Sequence, residues 1–177
     1  MRYFVRSAVA EDISKLRVVR NNEQLFRSYL QQQDNNEVIL TIAASDDEDR
    51  VILGFGVLKL KGKQVPKLSD LYVKEKYRGQ GAGSELIRYR EALAIQLGFS
   101  EIFVSVDPVE NPKMIKLISA HGYHADSEPY NKQAVYYNED GTSYEKTYIR
   151  IDLKKQLLLT ESRDRLEQGI AIVEELF

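Results

Sequence analysis

The stretch 68–97 constrains the fold of this chain more than any other part of its sequence. A short apolar strand at 68–73 leads through a polar connector into the glycine-rich run Arg78-Gly79-Gln80-Gly81-Ala82-Gly83. Residues 84–97 predict a helix that Gly98 ends. Its apolar positions are Leu86, Ile87, Leu93, Ala94 and Leu97. A glycine loop that opens a helix predicts an anion site, because the first amides of a helix lack intrahelical partners and carry positive partial charge.

The spacing of the glycines separates the known kinds of phosphate loop. Glycine lets the chain turn tightly and lets a phosphate approach the amides, and Arg78 would add a positive charge. A P-loop ends in Gly-Lys-Ser/Thr, but here Ser84 and Glu85 follow Gly83, so the lysine is missing. A dinucleotide fingerprint needs G-x-G-x-x-G, whereas these glycines run G-x-G-x-G without an acidic ribose partner about 20 residues on. From the loop alone, an ordinary glycine-rich turn is the alternative.

Composition narrows the class of protein. The chain has 177 residues, which suits one domain, and its net charge of −2 gives no general attraction to nucleic acid or to an anionic membrane. The absence of cysteine excludes disulfides, cysteine nucleophiles and thiolate metal sites. Residues 2–6 lack the apolar core of a signal peptide, and no run approaches the roughly 20 apolar residues of a membrane span. We therefore expect a soluble, cytoplasmic protein.

The first half of the chain predicts strands and a helical pair. Residues 2–6 alternate as a strand does, and two apolar patterns at helical spacing follow before the polar run 31–36. These patterns are Ile13, Leu16 and Val19, and then Leu25, Phe26, Tyr29 and Leu30. Residues 38–44 and 51–60 predict two strands, and the acidic tract 46–49 between them predicts a solvated turn. We expect the helical pair to form one wall of a substrate cleft.

The second half predicts one crossover and a closing hairpin. The apolar run 102–106 is typical of a strand covered on both faces, and we expect it to lie parallel to the strand at 68–73. Asn111 and Pro112 predict the start of a helix that Gly122 ends. Residues 133–153 alternate around Asn138-Glu139-Asp140-Gly141, which predicts a hairpin. From about Thr160 onward, Leu166, Ile170, Val173 and Phe177 predict an amphipathic helix.

The landmarks in 68–123 resemble those of the GCN5-related N-acetyltransferase family. The pyrophosphate loop of that family follows the pattern Gln/Arg-x-x-Gly-x-Gly/Ala, and Arg78, Gly81 and Gly83 occupy its defining positions. The other matches are Leu71-Tyr72-Val73 with the bulged central strand, Asn111 with the asparagine that starts the following helix, and Gly122-Tyr123 with the Gly-Phe after that helix. The order of elements is similar across roughly residues 2–153.

The resemblance implies a fold of the α/β class, α+β type. Its sheet would be mixed and mostly antiparallel, with a central splayed parallel strand pair, flanking helices and an additional C-terminal helix. Residues 1–155 would be the N-acetyltransferase domain. Residues 156–177 would form the C-terminal amphipathic helix, which packs on the domain or on the partner of a homodimer.

The resemblance also implies acetyl-CoA as the co-substrate and no metal. Pantetheine would pair with the backbone of the bulged strand as an added strand does, and the pyrophosphate would sit on the glycine loop. The cofactor-binding residues implied are Leu71, Val73, Arg78, Gly79, Gln80, Gly81, Ala82, Gly83, Ser84 and Asn111. His121 and His124 are the only histidines and lack the H-x-x-x-H spacing, so we predict no metal site.

The implied chemistry is attack of an amine on the thioester carbonyl, with the Val73 N–H stabilising the oxyanion. An amine arrives as ammonium and must lose a proton, so we name Asp70 and Tyr72, on one face of the strand, as catalytic candidates. The alternative is that Asp70 only binds the ammonium or faces solvent. Many family members carry a tyrosine acid where this chain has Ile118. We expect no dedicated acid; the other candidates are Tyr123, His121 and Tyr137.

The sequence therefore predicts an N-acetyltransferase that acts on a primary amine of a small molecule or peptide in a ternary complex. A CoA-binding sensor without turnover is the alternative, which the isoleucine at 118 favours. A structural dimeric adaptor that uses residues 160–177 is a third reading, but an adaptor has no need of a phosphate cradle. The identity of the amine lies beyond the sequence, because acceptor pockets are built from variable loops.

Overall fold

The computed structural model describes residues 1–138 and 140–157, in two compact units. The first unit consists of Met1–Ile102 together with Gln156 and Leu157, and the second consists of Phe103–Lys155. The helix predicted from about residue 160 lies outside the described residues. No helix in the described part of the chain is long and apolar enough to cross a membrane.

The first unit contains four strands in the order β1-β2-β3-β4, each antiparallel to its neighbour. Its elements are β1 (Tyr3–Ser7), α1 (Ile13–Val19), α2 (Glu23–Asp34), β2 (Val38–Ser45), β3 (Ile52–Lys59), β4 (Lys67–Val73) and α3 (Ala82–Gln96). The strands predicted at 2–6, 38–44, 51–60 and 68–73 and the helical pair are confirmed within one or two residues at most ends.

Opposite faces of this sheet carry different helices. Leu16 of α1 and Phe26 of α2 are fully buried in one apolar cluster with Phe55 of β3. Ala82 and Leu86 of α3 are buried in a second cluster on the other face. Burying apolar side chains on both faces holds the sheet between the helices, since each such side chain contributes about 1.5–3 kcal/mol.

The helix α3 begins at Ala82, two residues earlier than the sequence predicted, and ends at Gln96. Gly81 takes the N-cap position with a φ of +87°, and Gly83 lies inside the first turn instead of in the loop. The predicted apolar position Leu97 is wrong as a core residue, because it follows the helix and is 51% exposed.

The second unit is built around one long strand. Its elements are α4 (Pro112–Ala120), β6 (His124–Ala125), β7 (Tyr130–Tyr137) and most of β5 (Glu101–Val106) and of β8 (Ser143–Gln156). The strand β8 lies between β5 and β6, and its first half pairs with β7. The predicted hairpin is confirmed, and its closing contact is the Asn138 N–H, which donates to the Thr142 carbonyl at 2.8 Å.

Candidate functional site

The strand β4 is interrupted by a bulge in its pairing with β3. Tyr72 is the partner of Phe55 and Ser69 is the partner of Val57, so Gly56 alone faces two residues of β4, Asp70 and Leu71. Asp70 has a φ of +46°, in the left-handed region that aspartate and asparagine adopt more readily than most residues. The bulge predicted for the central strand is thereby confirmed, and its extra residue carries a carboxylate.

Both oxygens of that carboxylate accept hydrogen bonds from the helical pair. Arg20, which caps the end of α1, donates from Nη1 to Asp70 Oδ1 at 3.0 Å, and Tyr29 of α2 donates from Oη to Oδ2 at 2.7 Å. The pKa of Tyr29 is raised by its burial and by its bond to Asp70, so the phenol stays a donor at neutral pH. The side chain of Asp70 keeps 22% of its surface exposed.

Aromatic rings hold the guanidinium of Arg20 in place. Its Cζ lies 5.0 Å from the ring centroid of Phe55 and 5.0 Å from that of Tyr72, distances at which a cation is attracted to a ring. The Arg78 guanidinium also lies 5.4 Å from the Tyr72 centroid. Asp70 and Tyr72 therefore lie on the same side of β4, as predicted, and Arg20 contacts both.

The glycine loop connects β4 to α3 through two left-handed residues. Gly79 has a φ of +79° and Gly81 a φ of +87°. A Cβ on Gly79 would meet no atom within 4 Å, so this glycine is required by its backbone conformation alone. The first helical bond runs from the Glu85 N–H to the Gly81 carbonyl, which leaves the amides at the start of α3 outside the helical ladder.

The loop is tied to the first strand by Tyr3. Its Oη donates to the Gln80 carbonyl at 3.2 Å and would lie 3.3 Å from a Cβ on Gly81. Burial and the nearby charge of Glu85 raise the pKa of Tyr3, so the hydroxyl remains a donor. The sequence offered no signal for this contact, because Tyr3 alternates like any strand residue.

Arg78 contacts the strand that precedes its own loop. Its Nε donates to the Val73 carbonyl at 2.8 Å, and its side chain is exposed. The Lys74 N–H donates to Leu53 of β3 at 2.8 Å. Because successive backbone groups of a strand point to opposite sides, the N–H and C=O of Val73 face away from β3.

The remaining predicted residues lie in the second unit. Asn111 is the N-cap of α4, as predicted, but its side chain makes no capping hydrogen bond; its carbonyl accepts from the Met114 and Ile115 amides. Ile118, at the position of the family's tyrosine acid, is 1% exposed in the core. Tyr123 is buried and Tyr137 is 77% exposed. Within the described residues, no group of three or more histidine, aspartate or glutamate side chains could hold a metal ion.

The bulged strand β4 and the glycine loop that opens α3 agree with the acetyltransferase class that the sequence predicts. The model of the acetyltransferase (GNAT) family matches residues 7–123, and the chain belongs to this family. The predicted enzyme class is thereby confirmed. No curated protein matches the chain.

Solved structures confirm the predicted fold. The N-acetyltransferase from Staphylococcus aureus Mu50 is 16% identical with a TM-score of 0.66, over 89% of this chain and 100% of that one. A phosphinothricin acetyltransferase from Sinorhizobium meliloti, solved with AcCoA, is 17% identical with a TM-score of 0.65 over 89% of both chains. Spermidine N-acetyltransferase from Vibrio cholerae, solved with CoA and spermine, is 14% identical with a TM-score of 0.64, over 88% of this chain and 96% of that one.

Replacing Tyr3 by phenylalanine is expected to lower the free energy of unfolding by about 1 kcal/mol, the usual contribution of one hydrogen bond. The control is Tyr77→Phe, since the Tyr77 hydroxyl makes no hydrogen bond within residues 1–138 and 140–157. Urea denaturation measures both variants. Equal stability losses in the two would show that the Tyr3 contact does not hold the loop.

Proposed function

We propose that this protein transfers the acetyl group of acetyl-CoA to a primary amine of a small molecule or peptide in the cytoplasm, by direct attack in a ternary complex. The observation that carries the proposal is the glycine loop that opens α3 directly after the bulged strand β4. This arrangement supports an acyl-CoA ligand because a helix start attracts a pyrophosphate and a strand with outward backbone groups attracts pantetheine.

The chain's residues fit acetyl-CoA as a co-substrate. The open space at Gly79 and the left-handed Gly81 give a pyrophosphate close access to the amides at the start of α3. The Val73 carbonyl accepts from Arg78 Nε and has a second lone pair left for a pantetheine amide, and Asn111 has a side chain that its own helix does not use. The binding residues we assign are Leu71, Val73, Arg78, Gly79, Gln80, Gly81, Ala82, Gly83, Ser84 and Asn111.

We assign proton acceptance from the acceptor ammonium to Asp70, directly or through one water. Each oxygen of this carboxylate accepts one hydrogen bond, from Arg20 or from Tyr29, and each has a second lone-pair site left for a donor. Its partial exposure supports access for an amine. Tyr72, on the same side of β4, is assigned to contact the acceptor.

The Val73 N–H is our candidate for stabilising the oxyanion. It faces away from β3, and a fixed backbone donor needs no rearrangement when negative charge develops on the carbonyl oxygen. Acetyl-CoA would supply an activated acyl group and a thiolate of low basicity as the leaving group. We assign no dedicated acid, because the buried Ile118 has no proton to give.

Calorimetric titration with acetyl-CoA, followed by thiol release on a panel of amines, tests the proposed function. The panel contains polyamines, amino acids, aminoglycosides and peptides with free N-termini. We expect binding together with thiol release on at least one class. Absence of acetyl-CoA binding would contradict the assignment of residues 78–83.

The isoleucine at position 118 favours one second candidate, a sensor that binds CoA without turnover. Acetyl-CoA titration and thiol release measured on the same sample distinguish the enzyme from the sensor. Binding of acetyl-CoA without thiol release on any amine of the panel would favour the sensor. Release on any of them would exclude it.

The C-terminal helix predicted over 156–177 begins too early, because Gln156 is the last residue of β8. We assign the residues beyond 157 to an amphipathic helix that packs on its own domain or on a second copy. Its support is the helical spacing of Leu166, Ile170, Val173 and Phe177. Light scattering of the full chain and of a chain ending at Leu157 distinguishes the two arrangements. Loss of a dimer on truncation assigns the segment to the partner contact.

A further inference from the structure

The largest fully buried side chain on α3 is an arginine. Arg90 is 0% exposed. Its Nε donates to the Leu86 carbonyl of its own helix at 3.0 Å. Its Nη1 donates to two strands, at 2.9 Å to the Val57 carbonyl and at 3.2 Å to the Ser69 carbonyl. One guanidinium therefore joins α3, β3 and β4.

The two strand carbonyls belong to one rung of the ladder. Val57 and Ser69 are register partners, and theirs is the last regular pair before the bulge. A bulge interrupts the regular alternation of ladder bonds beside it. Arg90 thus bonds to both strands at the point where their regular pairing stops.

Gly56 makes room for this contact. A Cβ on Gly56 would lie 2.8 Å from Arg90 Cζ, closer than real Cβ atoms approach, and 3.1 Å from its Nε, a tight contact. Gly56 is also the single residue of β3 that faces the pair Asp70 and Leu71. The guanidinium of Arg90 therefore fills the space behind the bulge that a side chain at position 56 would need.

An arginine is a costly residue for filling apolar space. Burying its charge carries a large desolvation penalty, and an apolar residue of similar volume often stabilises a core as well or better. What an apolar residue would lose is the set of directed, charge-assisted bonds to fixed carbonyls. The observation points to a role in fixing backbone geometry at one rung.

We propose that Arg90 is a positioning residue for acetyl transfer: it fixes the bulge of β4 and, through it, the backbone of Leu71 and Val73 and the carboxylate of Asp70. Arg90 acts through these residues and contacts none of the reacting atoms. Insofar as it concerns acetyl-CoA, this inference rests on the function proposed above.

The test compares Arg90→Met with Leu40→Ala, which removes a fully buried side chain of β2 in the cluster on the opposite face of the sheet. Both variants are measured well below their melting temperatures. In Arg90→Met we expect amide hydrogen exchange at residues 70–73 to rise about tenfold or more and acetyl-CoA to bind about tenfold more weakly, since two carbonyls lose a charged donor. In Leu40→Ala, acetyl-CoA affinity should stay near that of the wild type, and exchange at 70–73 should rise no more than at the amides of the other strands, because only global stability is lost.

Two further variants keep the test decisive if Arg90→Met fails to fold. Gly56→Ala retains the arginine but displaces its guanidinium, so it should show the same two changes. Arg90→Lys keeps the charge, but one ammonium cannot replace both the Nε bond to Leu86 and the Nη1 bonds to Val57 and Ser69, so we expect an intermediate effect. Recovery of binding in Arg90→Lys relative to Arg90→Met would support a directed bond over simple volume.

The outcomes separate this inference from the proposed function. Unchanged exchange at 70–73 in Arg90→Met and Gly56→Ala, or equal losses of binding in Arg90→Met and Leu40→Ala, would overturn the positioning role. If the wild-type protein fails to bind acetyl-CoA, the proposed function falls. The exchange rates at 70–73 would still decide whether Arg90 holds the bulge.

Discussion

Replacing Gly81 by glutamate is expected to weaken acetyl-CoA binding by about 100-fold or more. A carboxylate at the N-cap of α3 would lie against the pyrophosphate, and two charges about 4 Å apart near a protein surface repel by roughly 4 kcal/mol. Each 1.4 kcal/mol corresponds to about a factor of ten in affinity. Isothermal titration of the variant with acetyl-CoA measures the loss.

Gly81→Gln is the matched control for that experiment. Glutamine has the shape of glutamate, and both place a side chain at a φ of +87° and 3.3 Å from the Tyr3 hydroxyl. Strain and crowding are therefore shared, and only the charge differs. If both variants lose affinity equally, the effect is steric. If Gly81→Glu binds as the wild type does, the glycine loop is not the pyrophosphate site.

Replacing Asp70 by asparagine is expected to lower turnover at neutral pH by about 100-fold or more, the usual range for removing a general base. Asparagine has the same shape and tolerates the left-handed φ of +46°, so the bulge should persist. Acetyl-CoA affinity should be unchanged. The deficit should shrink as pH rises, because the acceptor amine then loses its proton to solvent without help. Steady-state rates across pH measure this.

Tyr29→Phe is the control for the role of Asp70. It removes the 2.7 Å bond to Oδ2 and leaves the charge of the carboxylate in place. We expect a loss of turnover below about tenfold, since orientation alone is affected. Equal losses in the two variants would assign Asp70 to orientation and not to proton acceptance. Wild-type rates in Asp70→Asn would remove it from the mechanism.

Local signals in the sequence predicted much of this protein. The glycine loop, the start of α4 at Asn111 and the hairpin around residues 138–142 depend on neighbouring residues and have characteristic turn and cap chemistry. The sequence predicts the start of α3 two residues late, because glycine is a weak helix former and Gly83 continues the glycine pattern of the loop.

The contacts that surround the candidate site could not be predicted in this way. Arg20 and Tyr29 reach Asp70 from 50 and 41 residues away in the chain, and nothing in their local pattern indicates a shared partner. Arg90 sits in an amphipathic helix where an arginine ordinarily faces solvent. Only the packing of α3 against a strand with glycine at position 56 makes it a core residue.

The bulge in β4 has a consequence for how such a strand can change over generations. Removing residue 70 would leave Val57 opposite Ser69 and Phe55 opposite Tyr72, and would give Gly56 the single partner Leu71. The sheet's alternation would then be regular. Asp70 is therefore the one extra residue of β4 relative to β3. Inserting or deleting its single codon would leave the strand pairs on either side of the bulge unchanged.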